Sequence, residues 1–313
     1  MNKYKVFIDG SAGTTGLRIF DRLESRDDIE LLKLCESERK EISKRKEMIN
    51  KSDITFLCLP DDASRESISL VENGDTVIID TSTAHRTESG WAYGFPELSK
   101  EMREKIRQSK RVAVPGCHAS GFNAIVYPLV AKAAIPSDYP VSCFSLSGYS
   151  GAGKKAIAEY ESDSRPEEYS SPRLYALAQH HKHLKEMKFI SSLASEPVFS
   201  PVICDYYSGM AVTVPLHTKL MNGNHSVDTL FELYADFFKG EKLIKVIKDT
   251  EGGFLGSNNL SCCDGMEIHV NGNEERVTVC ARFDNLGKGA SGAAVQCMNI
   301  VMGCEETKGL VQF

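Results

Sequence analysis

Val6-Phe7-Ile8-Asp9-Gly10-Ser11-Ala12-Gly13-Thr14-Thr15-Gly16 is the stretch that decides the fold. An apolar strand leads into glycines spaced Gly-x-x-Gly-x-x-Gly, and apolar residues then recur at helical spacing (Leu17, Ile19, Phe20, Leu23). A strand, a glycine turn and a helix form the context of a dinucleotide-binding fingerprint, because a pyrophosphate can approach the glycines and the helix N-terminus. Ala12 replaces the second glycine of the standard motif, so a strand–helix turn in another α/β protein is the alternative.

The residues after the next strand bear on the choice of dinucleotide. The strand at residues 29–35 is followed by Glu36, about 20 positions after the last glycine, where an acidic side chain often binds the ribose of NAD. Ser37, Arg39 and Lys40 follow at once and suit the 2′-phosphate of NADP. The residues alone leave NAD and NADP both open.

Three further strand-like runs indicate the fold class, at residues 53–59, 76–80 and 110–114. Helical patterns alternate with these runs, which predicts an α/β protein with a parallel, doubly wound sheet. Ligands of such sheets bind beyond the carboxyl ends of the strands. Pro60 and Ser82 follow two of the strands, so we expect both on the cofactor side.

The composition excludes several classes of function. The chain has 313 residues, with 43 acidic and 37 basic side chains and a net charge of −6, which argues against broad binding of nucleic acid backbones. No apolar run approaches the ~20 residues that span a bilayer, and the N-terminus lacks the pattern of a signal peptide. We expect a cytoplasmic protein of about two domains, without nucleic acid or membrane partners.

One of the ten cysteines is placed unlike the others. Cys117 follows a strand and a Pro-Gly turn and precedes an apolar run, residues 122–129, that is typical of a helix. Near a helix N-terminus a thiol has a lowered pKa and becomes nucleophilic. A nucleophilic cysteine beside a nicotinamide indicates aldehyde-level chemistry through a thioester. A buried structural cysteine is the alternative.

Several blocks of the chain resemble one enzyme family. In chain order they are residues 9–17, 93–98, 115–117, 147–155, 181–183 and 285–296. Together they resemble the N-acetyl-γ-glutamyl-phosphate reductases. The phrase Asp-Gly-Ser-Ala-Gly-Thr-Thr-Gly and the short length resemble the type 2 branch of that family. The joint order of the blocks makes the resemblance specific.

The resemblance implies a fold like that of glyceraldehyde-3-phosphate and aspartate-semialdehyde dehydrogenases. A Rossmann NADP-binding domain would comprise residues 1–116 with 287–313. An α+β substrate and dimerisation domain would comprise residues 117–286, and the chain would form a homodimer or homotetramer. Within the second domain, local patterns predict helices at residues 226–238 and 242–248.

The resemblance also implies the reaction and its residues. The family reduces N-acetylglutamyl 5-phosphate, a small-molecule substrate, to the semialdehyde with NADPH and releases phosphate, in arginine biosynthesis. Cys117 matches the catalytic cysteine. The residues that match the NADP phosphate site are Gly10, Ser11, Ala12, Gly13, Thr14, Thr15 and Gly16. Further cofactor contacts are expected from Ser37, Arg39, Pro60, Ser82, Gly151, Lys288, Gly289 and Ala290.

Histidine is the natural side chain for proton transfer near neutral pH. His181 and His183 match the family's His-x-His, and in a strand-like segment they would point to one face. We assign His183 as the acid/base and His181 to substrate or phosphate contact. His217 is a substrate-pocket alternative, and His118 should diverge from its neighbour Cys117. No cysteine or carboxylate with metal spacing accompanies the cluster, so no metal is expected.

The substrate carries a carboxylate and a phosphate, and arginine binds both through its planar fork. The basic candidates are Arg86, Arg111, Arg165, Arg173 and Lys288. Proximity to the motifs ranks Arg86 and Arg173 first as substrate-binding residues.

Three other functions compete with this interpretation. One is another semialdehyde dehydrogenase, of the aspartate type. The second is a non-catalytic nucleotide-binding redox sensor with Cys117 as a regulatory thiol, which predicts cofactor binding without turnover. The third is a cysteine hydrolase that uses Cys117 and a histidine, which leaves the N-terminal glycine turn unexplained.

Overall fold

A computed structural model describes residues 3–248 and 251–313. The chain forms two compact units. The first contains the chain up to Gly116 and then Ala290–Leu310, and the second contains Cys117–Gly289 and Val311–Phe313. Within the described ranges, none of the helices is both long enough and apolar enough to cross a membrane.

The first unit is built on a six-stranded parallel sheet. Its strands are β1 (Tyr4–Asp9), β2 (Ile29–Leu32), β3 (Ile54–Leu57), β4 (Val77–Asp80), β5 (Ala92–Tyr93) and β6 (Arg111–Ala113). The helices between them are α1 (Thr14–Leu23), α2 (Ile42–Lys51), α3 (Asp61–Ser69) and α4 (Lys100–Gln108). The strand order is β2-β1-β3-β4-β6-β5, so the order reverses beside β1, where such sheets bind ligands.

The second unit is built on a seven-stranded mixed sheet of order β11-β12-β13-β10-β7-β9-β8. Its helices are α5 (Cys117–Ala131), α6 (Lys154–Tyr160), α7 (Leu184–Ile190) and α8 (Val227–Phe237). Its strands are β7 (Ser142–Gly148), β8 (Arg173–Leu174), β9 (Val198–Cys204), β10 (Met210–His217), β11 (Ile244–Ile247), β12 (Met266–Gly272) and β13 (Arg276–Phe283). Helix α5 lies so close to the sheet that a Cβ at Gly121 would be 2.5 Å from Val212 Cγ2.

The two predicted helices of this unit have different outcomes. The first is confirmed as α8, which begins with a capping box between Ser226 and Thr229. The second prediction, at residues 242–248, is wrong, because these residues form β11 and pair in parallel with β12. Their apolar residues fit helical and strand spacing alike, and β-branched Ile244, Val246 and Ile247 favour a strand where a neighbouring strand is present.

After the second unit the chain returns to the first through α9 (Gly292–Met302). Ala294, Val295 and Met298 of α9 are buried against one face of the parallel sheet, together with Ile19 of α1 and Ile106 of α4. The core on the other face is formed by Phe7, Ile49, Leu57 and Ile78, with side chains from α2 and α3. Helices therefore cover both faces, and the predicted doubly wound sheet is confirmed.

Candidate active site

The glycine turn after β1 brings bare backbone to the edge of the first unit's sheet. Gly10 has a φ of +87°, and a Cβ there would lie 2.3 Å from the carbonyl oxygen of Cys58. Only glycine fits such a position. The Gly13 N–H donates to the Gly10 oxygen at 2.9 Å, and α1 begins at the next residue, Thr14. The unpaired N–H groups of the first helical turn therefore lie where an anion binds favourably.

A cavity of about 620 Å³ adjoins this turn and is lined by Gly10, Ser11 and Ala12. Arg39 and Lys40 line it together with Glu36, whereas Ser37 is not part of the lining. Apolar side chains complete the walls, among them Leu17, Phe20, Leu31 and Leu34. An apolar cavity with a few convergent polar groups is the usual form of a cofactor site.

Two further observations test whether a dinucleotide fits this cavity. The Oγ1 atom of Thr14 is buried, and none of the described residues hydrogen-bonds it, as expected of a hydroxyl that binds a ligand. Beneath the turn, Asp9 accepts hydrogen bonds from Arg45 Nη2 at 3.1 Å and Ser67 Oγ at 3.0 Å. Arg45 is therefore bound to the end of β1. The other cationic side chains of the cavity are Lys33, Arg39 and Lys40, and of these Arg39 and Lys40 follow Glu36 in the chain. The residues present fit a dinucleotide.

Pro60 and Ser82 lie at the same edge of the sheet, since they follow β3 and β4. Pro60 is the N-cap residue of α3. Ser82 is buried, and its hydroxyl donates to Asp80 Oδ2 at 2.7 Å. His85 Nδ1 lies 2.6 Å from the same oxygen, and its ring stacks on Trp91 at a centroid distance of 4.1 Å. Asp80 therefore fixes the loop that carries Ser82.

The structure places Arg86 inside the fold of the first unit. Its Nε donates to the Val114 carbonyl oxygen at 2.8 Å, and its Nη2 donates to the Thr81 carbonyl oxygen at 3.0 Å. These bonds join the segment after β4 to the segment after β6. Two of the three guanidinium nitrogens are thereby engaged by backbone.

In the second unit, Cys117 is the first residue of α5 and is half-buried. Gly289 lies directly against it, because a Cβ at Gly289 would be 2.9 Å from Cys117 Cβ. Gly289 and Lys288 belong to the short π-helical turn Gly287–Ser291, and Ala290 begins the return to the first unit. Because residue 289 has no side chain, this turn packs against Cys117 without a collision.

Asp284 holds the segment that carries Gly289. Its Oδ1 accepts from the backbone N–H groups of Leu286 at 2.6 Å and Gly287 at 3.0 Å. Its Oδ2 accepts from Ser208 Oγ at 2.9 Å, and its carbonyl oxygen accepts from the Gly289 N–H at 3.0 Å. We did not find Asp284 from the sequence, although it directly precedes a block of the family resemblance.

Three histidine rings meet near the start of α5. The centroid of His118 lies 5.5 Å from that of His181 and 5.6 Å from that of His183, and the latter two are 4.7 Å apart. His181 and His183 meet through a turn, in which the His183 N–H donates to His181 Nδ1 at 3.1 Å, and not through a strand. His183 is buried and His181 is half-buried. We expected His118 only to diverge from Cys117, and the fold brings its ring to the other two histidines.

Tyr175 joins this cluster and was missed at the sequence level. Its hydroxyl lies 2.7 Å from His118 Nε2, while Ser145 Oγ lies 2.7 Å from His118 Nδ1. Burial, with smaller contributions from His181 and Lys182, lowers the pKa of His118 to about 3. Burial and the charge of Cys117 raise the pKa of Tyr175. At neutral pH both side chains are therefore uncharged.

Gly151 lies in the turn Tyr149–Ala152 after β7. A Cβ at Gly151 would be 3.3 Å from Asn285 Nδ2. Asn285 donates to Ser150 Oγ at 3.0 Å and accepts from the Gly209 N–H at 2.9 Å. Asn285, a second residue that we had not singled out, therefore fixes the turn of Gly151 to the end of β10.

Arg173 lies on β8, two residues before Tyr175. Its guanidinium carbon is 3.6 Å from the ring centroid of Tyr169, and its Nη2 donates to Tyr160 OH at 2.6 Å. Its Nε is buried, and no described residue accepts a hydrogen bond from it. The arginine is held by aromatic rings and keeps a donor for another group.

His217 is not brought to the cluster. It ends β10 and pairs with Arg276, whereas Met210 at the other end of the same strand pairs with Ser147. The backbone N–H of His217 donates to Tyr139 OH at 2.8 Å. Because a strand rises about 3.3 Å per residue, His217 lies well away from the Cys117 end of the unit.

Both units match models of known protein families. Residues 5–108 match the model described as the NAD binding domain of semialdehyde dehydrogenase. Residues 117–285 match the model described as the dimerisation domain of semialdehyde dehydrogenase. The predicted fold class, a Rossmann domain followed by an α+β dimerisation domain, is confirmed.

Curated relatives match the chain over almost its whole length. N-acetyl-gamma-glutamyl-phosphate reductase of Trichormus variabilis is 44% identical over 322 residues, which cover 99% of this chain and 100% of the relative. The protein of the same name from Brucella anthropi is 44% identical over 308 residues, which cover 96% of this chain and 99% of the relative.

Solved structures of aspartate semialdehyde dehydrogenases share the fold. The Vibrio cholerae enzyme II has a TM-score of 0.73 at 15% identity, with 97% of this chain and 99% of that chain covered. The Candida albicans enzyme, solved with NADP, has a TM-score of 0.69 at 15% identity, with coverage of 96% and 99%. Similarity at this identity describes the fold alone.

Proposed function

The chain belongs to the N-acetyl-γ-glutamyl-phosphate reductase family, and we propose that it reduces N-acetyl-L-glutamyl 5-phosphate to N-acetyl-L-glutamate 5-semialdehyde with NADPH and releases phosphate. This reaction is a step of arginine biosynthesis. The observation that carries the proposal is 44% identity to a named reductase over 99% of this chain.

Cys117 is the nucleophile in this proposal. The acyl phosphate is an activated carboxyl group, so the thiolate attacks its carbonyl carbon, a C–S bond forms, and the C–O bond to phosphate breaks. Two features of the second unit support this role. The N-terminus of α5 favours the thiolate, and Gly289 lets the segment that carries Lys288 pack directly against Cys117.

His183 is the acid/base and His181 a phosphate contact. The leaving phosphate oxygen needs a proton near neutral pH, and an imidazole supplies it most readily. His183 is the more buried of the two rings, which suits a group that holds a proton for the reacting centre. His181 is half-buried and lies 4.7 Å from His183 between ring centroids, so it can contact the departing anion.

Arg173 is the residue that we assign to the substrate's anionic groups. Tyr160 and Tyr169 hold its guanidinium in one orientation, and its buried Nε–H is a donor that no residue of the described ranges accepts from. A fixed guanidinium binds a carboxylate with little loss of side-chain entropy. Arg86 was ranked equally from the sequence, but its bonds to backbone oxygens favour a structural role.

The cavity of the first unit is the proposed NADP site. When bound, the nicotinamide supplies the hydride that reduces the thioester to the aldehyde level. The turn from Gly10 to Gly16 would hold the pyrophosphate, and Arg39 and Lys40 the 2′-phosphate. We keep Pro60, Ser82, Gly151, Lys288, Gly289 and Ala290 as proposed further cofactor contacts.

The decisive experiment compares substrates in the oxidative direction. NADP reduction is measured in the presence of phosphate with N-acetylglutamate semialdehyde and, separately, with aspartate semialdehyde. We expect turnover with the first, and a loss of at least about 10³-fold in the Cys117→Ser variant with NADPH binding retained. Preference for aspartate semialdehyde would make the enzyme an aspartate-type dehydrogenase. Cofactor binding without turnover of either aldehyde would favour the redox sensor.

We also propose a homodimer that is built through the second unit. The name of the model matched by residues 117–285 supports this, as do apolar side chains exposed on one face of its sheet. Phe144, Leu174 and Val198 are 44%, 55% and 61% exposed and share the face opposite to that of Ser145, which contacts α5.

We propose a cytoplasmic location as well. The ten cysteines are all free thiols, which is the usual state of cysteines in a reducing cytoplasm.

A further inference from the structure

The backbone pairing between β8 and β9 stops just before Phe199. The two strands are antiparallel, and beyond the end of β8 the Tyr175 N–H still donates to the Pro201 oxygen at 3.1 Å. In such a pair, the residues that share backbone hydrogen bonds recur at every second position. If the strand continued in this register, residue 177 would therefore lie opposite Phe199 and bond its N–H and its carbonyl oxygen.

The chain turns away from β9 at this point. Ala176 and Gln179 have φ values of +53° and +57°, which are uncommon for residues with a side chain, and the Gln179 N–H donates to the Ala176 oxygen at 2.9 Å. Leu177 lies on the outside of this turn and is 76% exposed. The backbone of residue 177 is thus not the partner of Phe199. Because Phe199 is buried, its N–H and carbonyl oxygen need another partner.

The side chain of Gln179 supplies this pairing. Its Nε2 donates to the Phe199 carbonyl oxygen at 2.9 Å, and its Oε1 accepts from the Phe199 N–H at 2.9 Å. A carboxamide presents a donor and an acceptor side by side, as a residue of a paired strand does. Two hydrogen bonds of one side chain therefore fix the turn to β9.

The residue that Gln179 binds also borders the histidine cluster. The ring centroid of Phe199 lies 5.2 Å from those of both His118 and His181. The chain reaches His181 two residues after Gln179, and the His183 N–H then donates to His181 Nδ1 at 3.1 Å. The segment 175–183 is therefore fixed to β9 immediately before the two histidines.

We propose that Gln179 is the positioning residue of His181 and His183, because its carboxamide holds the segment 175–183 on the backbone of Phe199. Gln179 takes no part in proton transfer itself. The inference rests on the proposed roles of the two histidines in the reaction. The competing cause of the turn's shape is the positive φ at residue 179, which glycine adopts without strain.

The first test is amide hydrogen exchange of the full chain without substrate or NADPH. Gln179→Met keeps the length of the side chain and removes both hydrogen bonds. Two hydrogen bonds of ordinary strength change a local opening equilibrium about 30-fold. We therefore expect exchange about 30-fold faster at the Phe199 amide, which loses its acceptor, and at the His183 amide. Faster exchange at Phe199 with unchanged exchange at His183 would overturn the proposal.

Two further variants separate the carboxamide from the backbone. Gln179→Gly lacks the carboxamide but favours the positive φ, so we expect the same faster exchange as in Gln179→Met. Gln108→Met is the matched control, because exposed Gln108 donates to Glu104 within α4 and should leave both amides unchanged. Exchange like that of the wild type in Gln179→Gly would mean that φ fixes the turn, which contradicts the proposal.

The second test is steady-state kinetics with N-acetylglutamate semialdehyde, phosphate and NADP. Gln179→Met should lower kcat about tenfold, because proton transfer depends on the position of His183. The KM for NADP should not change, since the cavity proposed for it belongs to the first unit. In the His183→Asn background the effect on kcat should be clearly smaller.

The outcomes of the two tests distinguish the positioning role from the reaction. An unchanged kcat in Gln179→Met, or the same loss of kcat in the His183→Asn background, would contradict the positioning role. A wild-type enzyme that does not turn over this aldehyde would refute the proposed reaction, whereas the exchange measurements would still show whether Gln179 holds the histidines.

Discussion

At the scale of single residues, the histidine cluster shows how burial and hydrogen-bond partners give identical side chains different roles. His118 has two hydroxyl partners and is fully enclosed, so burial keeps it neutral. It is unsuited to proton transfer at neutral pH but well suited to orienting a hydroxyl. His181 is half-buried and can reach a ligand. His118 and His181, whose ring centroids are 5.5 Å apart, therefore have different chemistry.

Cys117, His181 and His183 could be named from the sequence because each lies in a short motif. Tyr175 and the part played by His118 could not. These two residues are 57 positions apart, and their contact depends on how β8 approaches the start of α5. Adjacent side chains on a helix usually point in different directions. His118 does point away from Cys117, and it therefore meets Ser145 and Tyr175.

The basic pair that lines the cavity makes a prediction about cofactor choice. Arg39→Ala should raise the KM for NADPH about tenfold, since a charged hydrogen bond to phosphate contributes about 1.5 kcal/mol or more. The KM for NADH, which lacks the 2′-phosphate, should hardly change. Lys51→Ala, on an exposed position of α2, is the matched control. Equal effects on both cofactors in steady-state kinetics would contradict the assignment.

At the scale of elements, the segment between β13 and α9 illustrates how one buried carboxylate shapes a site. Asp284 accepts two backbone N–H groups of its own turn and one hydroxyl from Ser208. These hydrogen bonds fix the turn so that Gly289 packs against Cys117. A repeating apolar pattern does not reveal such a turn, because its geometry depends on hydrogen bonds to particular atoms. The wrong helix prediction at β11 has a similar cause. Its apolar spacing fits a helix and a strand equally, and pairing with β12 selects the strand.

An ion-pair network at the end of α1 predicts a pH-dependent stability. Asp28 accepts from Arg26 Nε at 3.0 Å and Nη2 at 2.8 Å, and Lys308 Nζ lies 2.9 Å away. The hydrogen bond from Arg26, with a further contribution from Lys308, holds the pKa of the Asp28 carboxyl well below its ordinary value of 3.8. The stabilisation is therefore present above that value and is lost as the pH falls below it.

Asp28→Asn should lower the free energy of unfolding by about 1 kcal/mol at pH 7, a modest value because the pair is partly solvated. The difference from wild type should shrink as the pH falls below about 4. Asp27→Asn is the control, because the Asp27 carboxylate also lies 3.5 Å from Lys308 Nζ but is 92% exposed, so its ion pair contributes little to stability. Urea unfolding at several pH values measures both, and a difference that stays constant down to pH 3 would refute the mechanism.

At the scale of the whole molecule, most of the architecture could be predicted from local patterns. The parallel sheet of the first unit follows from strands that alternate with helices and from the glycine turn after β1. The fold of the second unit was harder to predict from the sequence, because its seven-stranded sheet joins strands far apart in the chain, such as β10 with β7 and β13. Its short edge strands β8 and β11 depend on neighbours that no local window contains.

The exposed face of the second unit's sheet predicts how copies of the chain associate. Phe144→Lys should convert the proposed dimer into monomers, because a charge would replace an apolar side chain at the proposed contact. Light scattering after size exclusion measures the mass. Phe189→Lys, on α7 and 61% exposed in the free chain, should leave the dimer intact. A dimer that survives the change at Phe144 would place the interface elsewhere.

The return of α9 to the first unit has a consequence for folding during synthesis on the ribosome. The strands of the first sheet are synthesised before the second unit, yet Ala294, Val295 and Met298, which cover one of its faces, follow that unit in the chain. Until they emerge, Val6, Ile8 and Val112 lack part of their cover. The usual order, in which the N-terminal part of a chain matures first, is thereby reversed. One apolar face of the first unit's sheet is therefore incompletely covered on the ribosome until the residues of the second unit up to Gly289, and then α9, have been synthesised.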